Sequence, residues 1–290
     1  MTKNESAARL SFEVFPPNTD VGTSKLLTTL DELKSLSPSF ISVTCSNKRE
    51  NIENTTIKVA DYVTNVLNIP TVAHLPACAL NQKQVENILK RCAELNINRV
   101  LALRGDLTPD LSTPSDFKYA SDLIEFIQST APDFKISGAC YPECHPESQS
   151  VISDLHYLKQ KMDAGCQEFI SQFFLDNECF YQFQERCALS DINIPILAGI
   201  MPIINRKQAL RLLKTSHTHL PRKFVAMLDK YEHNPIALRD AGLAYAIDQI
   251  VDLLTQGVSG IHLYTMNNSQ TAKAIHAATA SLFEEACSTH

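Results

Sequence analysis

Apolar residues along the chain follow two alternating patterns: short β-prone runs, and longer stretches in which they recur every three or four positions. The short runs predict eight strands, at residues 11–15, 40–45, 71–75, 99–103, 135–140, 168–174, 195–201 and 260–265. The longer stretches predict helices over 24–36, 59–67, 81–95, 119–127, 151–162, 180–187, 209–213, 235–256 and 269–286. Thr23 or Ser24 is the expected N-cap of the first helix, and Gly165 is expected to close the helix that begins near Val151.

This alternation predicts an α/β fold in which a single parallel sheet carries all eight strands. Eight strand-then-helix units are the number that closes a (β/α)8 TIM barrel. No linker interrupts the alternation, so we expect a single domain over residues 10–290, preceded by a flexible N-terminal segment at 1–9. The alternative is a doubly wound open sheet, which the lack of a G-x-G-x-x-G motif after the first strand disfavours.

Composition and charge limit the classes of partner. With 44% hydrophobic residues, 20% charged residues and a net charge of -6, the chain is typical of a soluble globular protein and not of a nucleic-acid binder. No stretch approaches the roughly 18 apolar residues of a membrane span, and the polar start lacks a signal-peptide core. We therefore expect a cytoplasmic protein that acts on small molecules, without nucleic-acid or membrane partners.

The nine cysteines are consistent with a reducing compartment, because their number is odd and no C-x-x-C spacing is repeated. Cys140, Cys144 and His145 lie close together in sequence and could suggest a metal site. No second pair of ligands stands at a recognisable spacing elsewhere, so no metal is predicted.

The stretch Ser11–Pro17 places one carboxylate inside an apolar run that two prolines end. Proline offers no amide hydrogen to continue a ladder, so Glu13 is expected at the carboxyl end of the first strand. A carboxyl group buried beside aromatic rings favours its protonated form, which is the form a general acid needs. The alternative is a glutamate on the solvent face of an edge strand.

The barrel interpretation gives this position a wider meaning, because active sites in the fold gather at the carboxyl ends of the strands. Polar residues stand at the predicted ends of six strands: Glu13, Thr44, His74, Arg104–Asp106, Tyr141 with His145, and Gln172. Each alone has a structural explanation, such as a core histidine for His74. Their shared position predicts a functional site.

Several motifs, taken in order, resemble one family. They are Ser11–Glu13 with Phe15–Pro17, Leu101–Asp106, Tyr119–Leu123, Tyr141–Glu143 with His145–Glu147, Lys161 with Asp163–Gly165, Gln172–Phe174 with Asp176, Gly199–Ile200 with Pro202, and Tyr264–Thr265 with Asn267. Together they resemble the 5,10-methylenetetrahydrofolate reductase family, in its short bacterial form, over nearly the whole chain. The regulatory domain of the longer eukaryotic enzymes is expected to be missing.

The resemblance implies a flavin-binding catalytic barrel that holds FAD noncovalently and uses NADH or NADPH as reductant. The residues at the family's flavin-contacting positions are Thr44, His74, Arg104, Gly105, Asp106, Ala120, Tyr141, His145, Asp154 and Lys161. Their chemistry suits the task, since Arg104, Lys161 and His145 can meet a pyrophosphate and Gly105 permits close backbone approach. Asp106 would place a negative charge near the ring system.

The resemblance also implies the reaction, in which 5,10-methylenetetrahydrofolate is reduced to 5-methyltetrahydrofolate by alternating half-reactions. The product would supply methyl groups for methionine synthesis. Glu13 matches the family's proton donor, and the resemblance implies that Asp106 is the second catalytic residue. Asp106, Gln172 and Gln208 match folate-contacting positions, and a homo-oligomer is expected.

Four departures from the family pattern affect the surroundings of the site: Cys45–Asn47 in place of Tyr-Gly-Ala, Pro76 for threonine, Leu212 for an aromatic residue, and Asn268 for an arginine. Two alternative functions stay open on the sequence. One is a related flavin-dependent folate reductase with a protein electron donor, which a loss of stacking at Leu212 would favour. The other is a non-catalytic folate- or flavin-binding barrel, which the presence of both Glu13 and Asp106 disfavours.

Overall fold

The computed structural model describes residues 8–17, 19–45, 52–106, 115–215 and 218–285. Eight parallel strands form a closed barrel in chain order. They are β1 (Arg9–Val14), β2 (Phe40–Val43), β3 (Thr71–Pro76), β4 (Arg99–Leu103), β5 (Lys135–Cys140), β6 (Glu168–Ser171), β7 (Ile196–Ile200) and β8 (Gly260–Tyr264). The closed parallel sheet confirms the predicted (β/α)8 barrel and makes the open-sheet alternative wrong.

Helices follow the strands and pack around the barrel. They are α1 (Asp20–Lys34), α2 (Lys58–Asp61), α3 (Gln82–Glu94), α4 (Ala120–Thr130), α5 (Val151–Asp163), α6 (Asn177–Leu189), α7 (Arg206–Thr215), α8 (Arg222–Tyr231), α9 (Pro235–Thr255) and α10 (Ser269–Glu285). In the described part of the chain, no helix combines the length and the apolar character that crossing a bilayer requires. Of the predicted N-terminal segment 1–9, residues 1–7 lie outside the described residues, and Arg9 begins β1.

The strand β1 lies between β8 and β2, so it is not an edge strand. Glu13 is paired with Ser42 of β2 and with Tyr264 of β8. Two residues earlier, Ser11 is level with His262 of β8. The alternative of an edge-strand glutamate is therefore wrong.

Among the described residues the apolar core has three parts: one around helices α7 to α9, and two on opposite sides of the barrel wall, because successive strand residues point to opposite faces of the sheet. Of these last two, one fills the barrel interior and consists of Phe40, Val72, Leu101, Ile170 and Leu197. The other lies between the barrel and the helices, and it includes Phe12 and Val14 of β1. Since Phe12 and Val14 face outward, Ser11 and Glu13 face the barrel interior.

Several element boundaries differ from the sequence prediction. The N-cap of α1 is Thr19, whose hydroxyl oxygen accepts the N–H of Gly22 at 3.1 Å, so the expected cap at Thr23 or Ser24 is wrong. The strand β2 ends at Val43 instead of residue 45. The helix predicted at 59–67 is a short α2 between two wider turns, Glu53–Ile57 and Tyr62–Val66, whose hydrogen bonds span five residues.

The strand β6 ends at Ser171 instead of residue 174, at a residue that is hydrogen-bonded to β7 and β8. The Ser171 hydroxyl accepts the N–H of Gly199 at 2.9 Å, and the Ser171 carbonyl accepts the Tyr264 hydroxyl at 2.7 Å. Phe174 leaves the sheet and stacks on Phe180 of α6 at a ring distance of 4.9 Å. As predicted, Gly165 closes α5: it follows the C-cap residue Ala164 and has a φ of +118°.

Candidate active site

Glu13 lies at the carboxyl end of β1 with its side chain 21% exposed. One carboxylate oxygen, Oε2, lies 3.6 Å from Nε2 of His74 and 3.7 Å from Nε2 of His262. The sequence predicted aromatic rings around this carboxyl group. Of its sequence neighbours, Phe12 faces the outer core and Phe15 is exposed, so the rings beside Glu13 come from other strands: the imidazoles of His74 and His262, and Tyr264.

The two histidines are buried but differ in their partners. Burial lowers the pKa of His74 to about 4, against a smaller opposing effect of Glu13, so the ring is neutral at pH 7. Its buried Nε2 has no hydrogen-bond partner among the described residues. His262 is fully buried, and its ring nitrogens contact the hydroxyls of Ser11 at 2.8 Å and Ser42 at 3.2 Å.

Backbone contacts to the β8–α10 loop hold the end of β1 in place. The hydroxyl of Thr265 donates to the Glu13 carbonyl at 2.6 Å. Asn267 contacts Phe15 twice: its amide oxygen accepts the Phe15 N–H at 3.0 Å, and its amide nitrogen donates to the Phe15 carbonyl at 2.8 Å. The carboxyl group of Glu13 therefore projects from a backbone that is fixed on both sides.

Tyr264 of β8 lies beside Glu13 of β1. Burial raises the pKa of the Tyr264 hydroxyl well above its usual value, and the negative charge of Glu13 acts in the same direction. The close packing there requires a glycine at 199, because a Cβ added to Gly199 would lie 2.2 Å from the Ser171 carbonyl oxygen. It would also lie 2.8 Å from the Tyr264 ring.

A second group of polar residues follows β4 and β5. The guanidinium of Arg104 forms a two-point ion pair with Glu147, at 2.5 and 2.8 Å, which raises the pKa of Arg104. Gly105 has a φ of +81°, in the left-handed region that favours glycine. Glu147 belongs to a recognised motif, but the sequence did not identify it as a partner of Arg104.

The loop after β5 is internally bonded around His145. The rings of Tyr141 and His145 meet edge to face at 4.6 Å. Nδ1 of His145 accepts the N–H of Glu147 at 3.1 Å, and the Asp154 carboxylate accepts the N–H of His145 at 3.3 Å. Burial, followed by the charge of Arg104, lowers the pKa of His145.

Two further predicted cofactor residues lie on helices α4 and α5. Ala120 is the buried first residue of α4. Lys161, in the last turn of α5, donates from Nζ to the carbonyl of Ala139 in β5 at 2.7 Å. Burial lowers the pKa of this ammonium group, and nearby Cys140, Cys166 and Asp154 oppose that effect.

The remaining predicted residues make local contacts. The Thr44 N–H donates to the Val14 carbonyl at 3.0 Å, immediately after β2. Gln172 is exposed, and its amide oxygen accepts the N–H of Phe173 at 3.1 Å. The amide oxygen of Gln208 accepts the N–H of Ile204 at 3.1 Å, near the start of α7. In the described part of the chain, neither glutamine is hydrogen-bonded to Glu13.

Asp106 is exposed and follows Gly105 directly. Its charge contributes to the raised pKa of Tyr141, for which burial is the main cause.

Two of the departures from the family pattern lie at the ends of elements. Pro76 is the last residue of β3, and the amide oxygen of Asn268 accepts the N–H of Thr271 at 3.1 Å in the first turn of α10. Ser46, Asn47 and the Leu212 side chain lie outside the described residues.

The protein belongs to the class of (β/α)8 barrels with an enzyme-type site. The barrel is closed and eight-stranded, and titratable side chains gather at the carboxyl ends of its strands. The family model for methylenetetrahydrofolate reductase matches residues 1–280. The chain therefore belongs to the methylenetetrahydrofolate reductase family.

Curated relatives from bacteria and plants are similar over most of the chain. The 5,10-methylenetetrahydrofolate reductase of Pectobacterium carotovorum is 34% identical over 94% of this chain and 92% of its own. That of Escherichia coli is 34% identical over 92% of this chain and 88% of its own. Methylenetetrahydrofolate reductase (NADH) 1 of Arabidopsis thaliana is 33% identical over 91% of this chain but only 47% of its own.

A solved structure supports the fold. A Clostridium thermocellum protein, described as binding two copies of 5-methyl-5,6,7,8-tetrahydrofolic acid, superposes with a TM-score of 0.66 over 97% of both chains. A dihydropteroate synthase from Coxiella burnetii superposes with a TM-score of 0.53. Their identities of 14% and 12% mean that these likenesses concern the fold alone.

Proposed function

We propose that the chain reduces 5,10-methylenetetrahydrofolate to 5-methyltetrahydrofolate by alternating half-reactions, with FAD as bound cofactor and NADH or NADPH as reductant. Family membership supports the reaction. The observation that carries it is the Glu13 carboxyl group, which is partly exposed at the carboxyl end of β1 and flanked by two buried imidazoles. A general acid requires a position of this kind.

Glu13 acts as the proton donor in the folate half-reaction. Its carboxyl O–H gives the proton to N10 of the folate, the bond between N10 and the methylene carbon breaks, and the electron pair stays on N10. The methylene carbon becomes an iminium at N5, which accepts a hydride to form the methyl group. The fixed backbone around Glu13 limits the reorientation that this proton transfer requires.

The residues proposed for FAD offer a suitable donor set. Arg104 supplies a planar cation that Glu147 already orients, Lys161 a second cation, and the buried Nε2 of His74 an unused hydrogen-bonding position among the described residues. Gly105 allows close backbone approach. Thr44, Asp106, Ala120, Tyr141, His145 and Asp154 complete the proposed set. When bound, the flavin carries hydride between the nicotinamide and the folate.

For the folate we propose contacts from Asp106, Gln172 and Gln208. The amide oxygens of the two glutamines are already bonded to backbone N–H groups. Their NH₂ groups are therefore the donors that they offer to the acceptor atoms of a pterin edge. Asp106 accepts hydrogen bonds from the donor side of the same ring system.

The cofactor can be tested directly on the purified protein. We expect a yellow protein that releases FAD, and not FMN, on denaturation. FAD carries the second phosphate and the adenosine, for which the residues from Arg104 to Lys161 are available. A colourless protein that FAD does not reconstitute would contradict the proposal.

The reaction is tested by steady-state assays with 5,10-methylenetetrahydrofolate and either NADH or NADPH. We expect one 5-methyltetrahydrofolate for each nicotinamide oxidised. If only an artificially reduced protein turned over the folate, a protein electron donor would replace the nicotinamide. If folate and flavin bound without turnover under either condition, the chain would be a non-catalytic binding barrel.

The cellular setting extends this proposal. We propose that residues 10–290 form the catalytic domain of a cytoplasmic homo-oligomer whose product supplies methyl groups for methionine synthesis. Light scattering of the purified protein measures the assembly, and cell fractionation measures its location. A strain that lacks the protein is expected to need added methionine, provided that no second source of 5-methyltetrahydrofolate exists.

A further inference from the structure

Two contacts of Ser11 bear on which nitrogen of His262 carries the proton. The hydroxyl of Ser11 lies 3.3 Å from the Ile261 carbonyl and 2.8 Å from Nδ1 of His262. When this hydroxyl donates to the carbonyl, which can only accept, its oxygen accepts from Nδ1. In that arrangement a neutral His262 carries its proton on Nδ1.

This tautomer leaves a lone pair on Nε2, the nitrogen that faces Glu13. Ser42 lies 3.2 Å from Nε2 and Oε2 of Glu13 lies 3.7 Å from it, so a protonated Glu13 must displace the Ser42 hydroxyl to use the single lone pair. That last distance exceeds a hydrogen bond, but contacts at catalytic groups commonly shorten when substrate binds. A lone pair facing Oε2 attracts a protonated carboxyl group and repels a carboxylate.

The surroundings of His262 shield its contact with Glu13 from other charges. His262 is fully buried. Its ring stacks on Phe40 at 5.7 Å and meets the Tyr264 ring edge-on at 5.5 Å. The titratable groups that face it in the described structure are Glu13 from β1, His74 from β3 and Tyr264 from β8. Its neighbours on β2 and β7, Phe40 and Ser42 and Gly199, do not titrate.

We propose that His262 is a positioning residue that keeps the proton on Glu13: Ser11 fixes its Nδ1–H tautomer, and Nε2 then accepts from the protonated carboxyl group. This inference rests on the proposed role of Glu13 as the proton donor. It explains why two serines and a histidine occupy the barrel interior beneath a carboxyl group, where apolar side chains would otherwise pack.

Three variants of the FAD-loaded full-length protein separate this role from simple packing. His262→Phe keeps a ring over Phe40 but removes the acceptor. His262→Gln provides an amide oxygen that can reach a position near that of Nε2. Ser11→Ala removes the group that fixes the tautomer, so that Nε2 can become a donor and favour the carboxylate. His156→Gln, an exposed histidine on α5, is the control.

The readout is the pH above which methylenetetrahydrofolate reduction declines, because only protonated Glu13 is active there. We expect this pH to fall by about one unit or more in His262→Phe, and to fall less in Ser11→Ala. It should return close to wild type in His262→Gln. Thermal melting identifies any variant that does not fold, and if His262→Phe is lost in this way, Ser11→Ala decides alone.

An unchanged pH limit in the folded variants would overturn the inference and would leave the proposed function standing. A wild-type protein that does not reduce methylenetetrahydrofolate would instead overturn the proposed function. A pH limit that fell equally in His262→Phe and His262→Gln would also overturn the inference, because the acceptor at Nε2 would then have no part in it.

Discussion

His74 makes the stability of the protein depend on pH in a defined way. Its pKa is about 4 in the folded protein and 6.5 when unperturbed, a difference of 6.5 − 4 = 2.5 units caused mainly by burial. The unfolded chain therefore binds a proton below pH 6.5 that the folded chain accepts only near pH 4. The stabilisation is complete above pH 6.5 and is lost as the pH falls from 6.5 towards 4.

The magnitude follows from linkage. One pKa unit corresponds to about 1.4 kcal/mol, so the full loss is roughly 3 kcal/mol, of which about 2 kcal/mol is gone at pH 5. This is a large share of a typical unfolding free energy of roughly 5–15 kcal/mol. The wild-type protein is thus expected to be clearly less stable at pH 5 than at pH 7.5.

The assay is urea unfolding of the wild type and His74→Gln at pH 7.5 and pH 5. Glutamine does not titrate, so the stability loss between the two pH values should be smaller in the variant by about 2 kcal/mol. His156→Gln removes an exposed histidine and should lose as much stability as the wild type. Equal losses in wild type and His74→Gln would refute the claim that His74 is neutral in the folded protein.

Three further predictions concern other parts of the site. Gly199→Ala should destabilise the protein by at least about 1 kcal/mol in urea unfolding, because its Cβ would lie 2.2 Å from the Ser171 carbonyl oxygen. An unchanged midpoint would mean that β7 can shift to make room for the methyl group. Glu147→Gln should leave the urea midpoint nearly unchanged, because Glu147 is 61% exposed; a clear loss of stability would show that the pair with Arg104 supports the fold. Asp106→Asn should raise the flavin midpoint potential, since it removes a negative charge that opposes reduction; an unchanged or lower potential would place that charge far from the flavin.

Much of the fold followed from the sequence because strand and helix patterns alternate without interruption. Boundaries were less accurate where tertiary contacts decide them. Thr19 caps α1 although the apolar pattern begins only at Leu26, since the first turn exposes Val21 and contains Gly22. Similarly, β6 ends at Ser171, whose hydroxyl and carbonyl oxygens accept hydrogen bonds from Gly199 of β7 and Tyr264 of β8, contacts that the sequence pattern does not show.

The site residues, like the element boundaries, were only partly predictable from the sequence. Glu13 and Arg104 were recognisable because each interrupts or ends an apolar strand. His262 was not, since a histidine in the middle of β8 has the pattern of any core residue. Only the pairing of β8 with β1, which makes Ser11 level with His262, brings its ring to Glu13. The partnership of Arg104 with Glu147 likewise depends on the loop after β5.

The proton-donor role of Glu13 is the central claim, and Glu13→Gln tests it most directly, because glutamine keeps the size and polarity of the side chain but has no proton to transfer. Stopped-flow spectroscopy would measure the two half-reactions separately on the FAD-loaded variant. We expect near-normal reduction by NADH, together with folate reduction at least about a hundredfold slower, within the usual contribution of a general acid. Slowing of both half-reactions by the same factor would contradict the account, because Glu13 would then be supporting the barrel or the flavin and not donating a proton.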